Sequence, residues 1–444
     1  MGPVLMRIAI IGGGVSGLGA AWALKDLHDV TLFERDVRAG GHANTVEIDY
    51  EGKRLAVDTG FVVFNERNYP NLTALLSHLG VATIASDMSF SVSDPNGFEW
   101  SSGGLVGLFA WKRNATRPAF IAMLSDILKF NRTATIDIRD DRMNGATLEE
   151  YVAGLRLCPQ FLSNYLLPMG AAIWSMPERD MLRYPAAAFL RFFDNHRLLA
   201  TTKRIAWRTV AGGSRTYVRA LTDLLGKRIR PGAAVTSVAR HSDRVSITTA
   251  SGVEQFDQVI FACHADQTLE LLSDPAPAER QALAAMKFAP NTAYLHRDTR
   301  LMPQRRSAWA SWNYLRGGND EGRVCVSYWM NRLQALDDSR PVFVTLNPAA
   351  PPPPEKTFAR FTYEHPQFTR EAIAAQSAIA GFQGARRTWF AGAWLGHGFH
   401  EDGLASGLAV AQKLGAKLPW RAASAGHASR SVPVTQPAIA GEAA

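Results

Sequence analysis

Three cysteines in 444 residues, Cys158, Cys263 and Cys325, stand far apart and form no CxxC pair. That scarcity excludes a disulfide framework and a cysteine-rich zinc module, and it suits a reducing compartment. No run of eighteen apolar residues occurs, so no transmembrane helix is expected. The first expected strand begins near Met6, which leaves no room for a signal peptide before it. There is no GxSxG elbow and no P-loop lysine, so hydrolase and kinase readings fail. Long Lys/Arg blocks and internal repeats are absent too. The formal charge of +8 and pI near 9.5 therefore point to an anionic small molecule or a phospholipid surface rather than nucleic acid. A solvated basic surface is the plain alternative.

What is present starts at Arg7. The apolar run Arg7–Ile11 reads as a buried strand, and Gly12-x-Gly14-x-x-Gly17 as the turn into a helix. Val30–Phe33 is a second strand, closed by Glu34. Gly12 makes the tight turn and Gly14 admits a pyrophosphate, which the helix N-terminus at Val15, Ser16 and Gly17 attracts. Glu34, with Arg35 beside it, lies where a carboxylate accepts the adenosine ribose hydroxyls, and it argues against a 2′-phosphate. Strand, turn, helix, strand and acid in order specify a dinucleotide site far better than the glycines alone.

Val46–Tyr50 and Arg54–Asp58 are expected as a hairpin turning at Glu51-Gly52, and Asn71–Leu79 as a short helix. Residues 104–195 carry helical patterns over Arg117–Phe130, Thr147–Val152, Pro159–Ile173 and Pro185–Asn195. Ala234–His241, Val245–Thr249 and Gln258–Ala262 suggest a β-meander. A further strand set comprises Thr292–His296, Ala310–Leu315, Val324–Trp329 and Val342–Leu346, before a stiff connector at Pro351–Pro354. Thr388–Ala391 reads as a last strand, Gly403–Leu414 as a final helix, and the tail from Arg421 as disordered.

The motifs together resemble the flavin-containing amine oxidase superfamily, which includes phytoene desaturases and protoporphyrinogen oxidases. Gly40-Gly41-His42-Ala43-Asn44-Thr45 is similar to its GGRxxT loop, and Val57-Asp58-Thr59-Gly60 with Phe61 to its entry into a helical excursion. Gly212-Gly213-Ser214 resembles its mid-chain GG motif and Val235 its adenine-contacting strand residue. Phe390-Ala391-Gly392 and Asp402-Gly403-Leu404 look like its flavin-facing C-terminal segment. The resemblance implies noncovalent FAD, held by Gly12, Gly14, Val15, Ser16, Gly17, Glu34, Arg35, Gly40, Gly41, His42, Thr59, Gly60, Phe61, Val235, Gly392, Asp402, Gly403 and Leu404. It implies an α/β fold, a Rossmann-like FAD domain interleaved with an α+β substrate domain. The expected FAD parts are 1–85, 206–272 and 385–420. The substrate parts are a helical insertion at 86–205 and an antiparallel sheet at 273–384, with a disordered tail at 421–444.

Three departures matter. His42 stands where the family has Arg, so a cation titrating near neutrality is expected at the cofactor, unless His42 is an uncharged loop residue. Ala393 and Trp394 follow Gly392 where the family places an acid, which Glu401 or Asp402 would then supply. His400 and Glu401 read either as proton handlers beside the flavin or as structural polar groups. His397-x-x-His400 has a metal-like spacing, but no second ligand pair accompanies it, so no metal is expected.

Within the superfamily the sequence is most similar to FAD-dependent proteins associated with, or fused to, cyclopropane fatty acid synthases. The similarity lies in AGGHANTV, DTGFVVFNERNYPNL and AGAWLGHGFHEDGLASG. It implies an oxidoreductase acting on a modified fatty acyl chain, and a synthase partner. An amine or isoprenoid oxidase, and a non-catalytic FAD-bound subunit of a lipid-modifying enzyme, are the alternatives. Basic and aromatic residues interleave over 109–117 and again over 191–208, where Lys203 and Arg204 fall. They suggest a cytoplasmic protein in peripheral contact with the inner face of an anionic membrane, against the plain reading of a basic helix face over core aromatics.

Overall fold

The computed structural model describes residues 5–143, 145–200, 205–317 and 324–420. The expected disordered tail, Lys203 and Arg204 lie outside them. A five-stranded parallel sheet orders the strands Ile229–Arg230, Asp29–Phe33, Arg7–Ile11, Gln258–Phe261 and Thr388–Phe390. Strands from the start, middle and end of the chain thus meet in one sheet. Arg7–Ile11 and Gln258–Phe261 are buried along nearly their whole length, as parallel strands covered on both faces must be.

Helix Val15–Leu24 crosses from the first strand to the second and is buried on almost every side. Its partner is the terminal helix His400–Lys413. Small residues let the two backbones approach closely. A Cβ on Gly407 would stand 2.1 Å from the Ser16 carbonyl oxygen, and one on Gly403 would stand 2.9 Å from Val15 Cγ1. Leu404 fills the notch at Gly19 and is fully buried.

The second layer is a seven-stranded mixed sheet over Thr357–Gln367, Lys287–His296, Phe343–Leu346, Val326–Trp329, Trp312–Leu315, Phe90–Ser93 and Glu99–Ser101. Its longest strand, the 11 residues Thr357–Gln367, was not foreseen in the sequence. Its half-buried pattern gives no clean alternation, and Pro366 lies within it. The helical block holds Pro118–Arg139, Leu148–Ala153 and Ala186–Asn195, with a run from Pro159 to Trp174 broken by a π turn at Leu162–Leu166. Pro168 has no N–H to donate back into that turn, which accounts for the local widening.

Two expectations are corrected. The meander is Val235–Arg240, Val245–Thr249 and Gly252–Phe256, while Gln258–Phe261 leaves it for the parallel sheet. The apolar run of Gln258–Phe261 demands burial on both faces, which the mostly exposed Gly252–Phe256 does not. The last helix begins at His400, one turn before Gly403, so His400, Glu401 and Asp402 form its first turn. The hairpin is Thr45–Tyr50 with Lys53–Asp58, and Glu51 and Gly52 both take positive φ in its two-residue turn.

The helix pair yields a test. Gly407→Ala forces a methyl against the Ser16 carbonyl and should cost about 1–3 kcal/mol. Chemical denaturation reads this directly, and an unchanged midpoint would show that the helices do not pack this closely.

Candidate active site and cofactor cleft

Between the two layers lies a cavity of about 2260 Å³, well above the size of a pocket for one drug-sized molecule. One end is walled by Gly12–Ser16, Glu34, Arg35, Gly40–His42, Thr59–Phe61, Val235 and Gly392. Most of the sequence-predicted cofactor residues therefore meet in one place. Gly17, Asp402, Gly403 and Leu404 do not reach the wall. Gly17 packs on the Gly12 carbonyl and Ala262, and Gly403 and Leu404 pack the helix pair, because the terminal helix starts earlier than expected and turns them onto helix Val15–Leu24. The C-terminal wall consists of Gly392–Trp394 and His397–His400.

The glycine turn is built around Glu34. Its carboxylate accepts the N–H of Gly13 at 2.7 Å and of Asp36 at 2.8 Å, which ties strand end to turn. Gly12 takes φ +109°, and a Cβ there would press on the Ala262 carbonyl at 2.7 Å. Gly14 differs. Its φ of −72° is open to any residue, and a Cβ would meet nothing within 4 Å. Neither backbone nor packing asks for glycine at 14.

Asp58 is the polar centre behind this end. It is fully buried and accepts the Thr45 hydroxyl at 2.5 Å, the Ser214 N–H at 2.9 Å, the Ser214 hydroxyl at 2.7 Å and Gln334 Nε2 at 3.1 Å. The hairpin and the GGS motif, recognised separately in the sequence, are thus bonded to one carboxylate. Burial pushes its pKa up to about 6 against those hydrogen bonds.

Glu401 is a correction. Its carboxylate accepts the N–H groups of Asn71 and Leu72 and the Asn71 amide, each at 2.8–2.9 Å, at the start of helix Pro70–His78. It does not line the cavity and caps that helix instead. Burial raises its pKa to about 7. Asp402 accepts the N–H groups of His397 and Phe399 at 3.1 and 2.9 Å, closing its own helix end.

Six histidines line the cavity: His42, His196, His264, His365, His397 and His400. His42 lies with ring centres 5.0 Å from Tyr363 and 5.5 Å from His365, and its buried Nε2 has no hydrogen-bond partner. Burial, then the neighbouring imidazoles of His365, His264 and His400 and the Arg38 guanidinium, hold its pKa well below the ordinary value. The expected cation titrating near neutrality is therefore corrected to a neutral imidazole. His400 stacks on Phe61 at 3.9 Å and meets the Tyr217 hydroxyl at 2.5 Å, and burial drives its pKa down to about 3.

His264, Tyr363 and His365 on this wall were missed in the sequence. Tyr363 and His365 sit two apart on the unforeseen strand, and Tyr363 bonds Thr59 and Asn44 at 2.7 and 3.0 Å. The alternation Phe361, Tyr363, His365 was the available signal. The basic stretch 191–208 is also corrected as an inserting surface. Phe192, Phe193 and Leu199 are buried, and Arg191 pairs with Asp141.

A parallel sheet whose first βα turn and terminal helix converge on one large cleft defines a dinucleotide-binding flavoprotein. The sequence pattern of the flavin containing amine oxidoreductases matches residues 15–332, and the chain belongs to that family. Its cofactor is FAD and its chemistry oxidoreduction. No curated protein matches the sequence. Among solved structures, a CLA-producing fatty acid isomerase from P. acnes is similar at TM-score 0.66 and 16% identity, over 92% of this chain and 98% of that one. Cyclohexylamine oxidase from Brevibacterium oxydans gives 0.64 and 14%, over 93% and 100%. A putrescine oxidase bound to putrescine gives 0.63 and 14%, over 93% and 99%. The open space at Gly14 and the orphaned Nε2 of His42 fit a bound dinucleotide.

Two outcomes follow. Gly14→Val should fold with the thermal stability of the FAD-stripped wild type yet fail to take up FAD, because its side chain enters the cavity. Retained FAD would refute the assignment. The second concerns pH. Burial lowers the pKa of His42, His196, His264, His296, His365 and His400, and raises those of Asp58, Glu401 and Asp402. Near pH 5 the unfolded chain binds up to six more imidazole protons, and the folded chain keeps up to three carboxyl protons. The unfolded state thus leads by roughly three protons. Stability should rise with pH from 5 to about 6.5, and a melting temperature falling over that range would contradict these burials.

Proposed function

We propose that the chain removes a hydride from a modified fatty acyl chain, cyclopropane or methylated, of a lipid. The observation that carries this reading is the far end of the cavity, walled by Phe90, Trp100, Tyr165, Trp174, Phe192 and Trp312. Such a wall binds hydrocarbon by excluding water. The similar fold of a fatty acid isomerase supports the same substrate class. The synthase partner and the cytoplasmic, membrane-peripheral location rest on the sequence resemblance and the basic surface.

FAD, when bound, accepts the hydride and supplies the redox chemistry. The chain's own contribution is position and exclusion of water. In this reading the Gly12–Gly14 turn and the first turn of helix Val15–Leu24 hold the pyrophosphate noncovalently, and Glu34 holds the ribose while bracing the turn. Gly40–His42, Thr59–Phe61, Val235 and Gly392 flank the rest. His42 offers a neutral ring nitrogen to the cofactor or substrate, and His400 fixes Phe61 and Tyr217. The parallel sheet and its glycine turn form the FAD domain of the proposed division, and the mixed sheet with the helical block forms the substrate domain.

Anaerobic bleaching of the flavin tests the reading. Phospholipids with cyclopropane or methylated chains should bleach it, and amines should not. Bleaching by amines alone would overturn it, and bleaching by none would favour a non-catalytic subunit.

A further inference from the structure

The cavity's hydrophobic end opens where four large apolar side chains stand in solvent. Leu105 and Val106 are each 74% exposed, Ile121 47% and Leu128 58%. Val106 and Leu128 are also part of the cavity wall. A side chain that is both mostly exposed and part of the wall stands at the opening. Leu105–Leu108 is one turn of helix behind Gly104, and Ile121 and Leu128 lie seven apart along Pro118–Arg139, on one face.

The charge around this mouth has one sign. From 102 to 136 the chain carries Lys112, Arg113, Arg117, Lys129 and Arg132, all exposed, against the single acid Asp126. Asp126 is half-buried and accepts the Cys158 N–H at 2.6 Å. Arg306 adds another exposed cation from the 3₁₀ turn Arg306–Ala308, which packs on Leu105–Leu108. Nearby Glu99 is fully buried and held by Arg305.

We infer that this mouth docks on an anionic phospholipid bilayer, with Leu105, Val106, Ile121 and Leu128 entering the acyl region and the cations meeting the headgroups. An acyl chain then passes from bilayer to cavity without crossing water. An acidic protein would use the cations and leave the apolar rim idle. A bilayer uses both, and a cavity walled by hydrocarbon continues behind the rim. The inference rests on the acyl-lipid reading for what enters, and on the surface alone for what it docks to. It keeps the cations of the 109–117 segment singled out in the sequence and adds the apolar rim of Leu105, Val106, Ile121 and Leu128 beside them.

The test uses the FAD-loaded protein and two double variants, Leu105→Asp with Ile121→Asp and Lys112→Glu with Arg113→Glu. None of these four residues lines the cavity. Flavin content and elution volume check that the variants fold. In sedimentation with phosphatidylglycerol vesicles at low salt the wild type should pellet, and both variants should bind at least tenfold more weakly. Phosphatidylcholine vesicles should bind little, and high salt should release the protein. A wild type that stays in solution, variants that bind as tightly, or a wild-type dimer that Leu105→Asp with Ile121→Asp dissociates would each overturn the docking surface. Vesicle binding with no lipid able to bleach the flavin would uphold the surface and sink the acyl-lipid function. Bleaching by detergent-dispersed lipid without vesicle binding would do the reverse.

Discussion

The close approach of helices Val15–Leu24 and His400–Lys413 is the constraint on which the rest depends. They are separated by hundreds of residues in sequence, yet their backbones meet where Gly407 faces the Ser16 carbonyl. That contact brings the last turn of the fold to the first glycine loop, so the cleft has walls from both ends of the chain. It also explains the small residues at Gly19, Gly403 and Gly407 without appeal to a ligand. Gly14 is the contrast, because no protein atom lies within 4 Å of where its Cβ would stand.

Behind the cleft, two buried carboxylates organise the backbone. Asp58 gathers the hairpin, the GGS motif and Gln334, and Glu401 caps helix Pro70–His78. Both carry raised pKa values because they are buried among neutral donors rather than cations. His42, His196, His264, His365 and His400 of the wall are pushed the opposite way by the same burial. Burial thus favours the neutral form of these five imidazoles, which suits hydrogen bonding and an apolar guest better than fixed charge.

The βαβ unit and the hairpin were readable from spacing alone, because glycine turns and apolar strands are local in sequence. The family resemblance supplied the second loop and the middle motif, and the structure joins them through Asp58. What escaped was non-local. Thr357–Gln367 is half-buried and interrupted by Pro366, so only the short alternation Phe361, Tyr363, His365 marks it, and Tyr363 and His365 went unseen with it. Placing the last helix three residues late made Glu401 and Asp402 look like flavin neighbours, whereas the first helical turn spends their oxygens on backbone N–H groups. For His42 the sequence left a titrating cation and an uncharged loop residue both open, because it does not show that the ring is buried and sits beside other imidazoles.

The central claim is that the cleft between the parallel sheet and the mixed sheet holds FAD. The most direct measurement is the absorption spectrum of the purified protein, followed by titration of the cofactor-stripped protein with FAD and with NAD. The account predicts a yellow protein whose flavin is released by acid or heat, and a stripped form that takes up one FAD per chain and ignores NAD. A colourless protein that binds NAD and refuses FAD would contradict it.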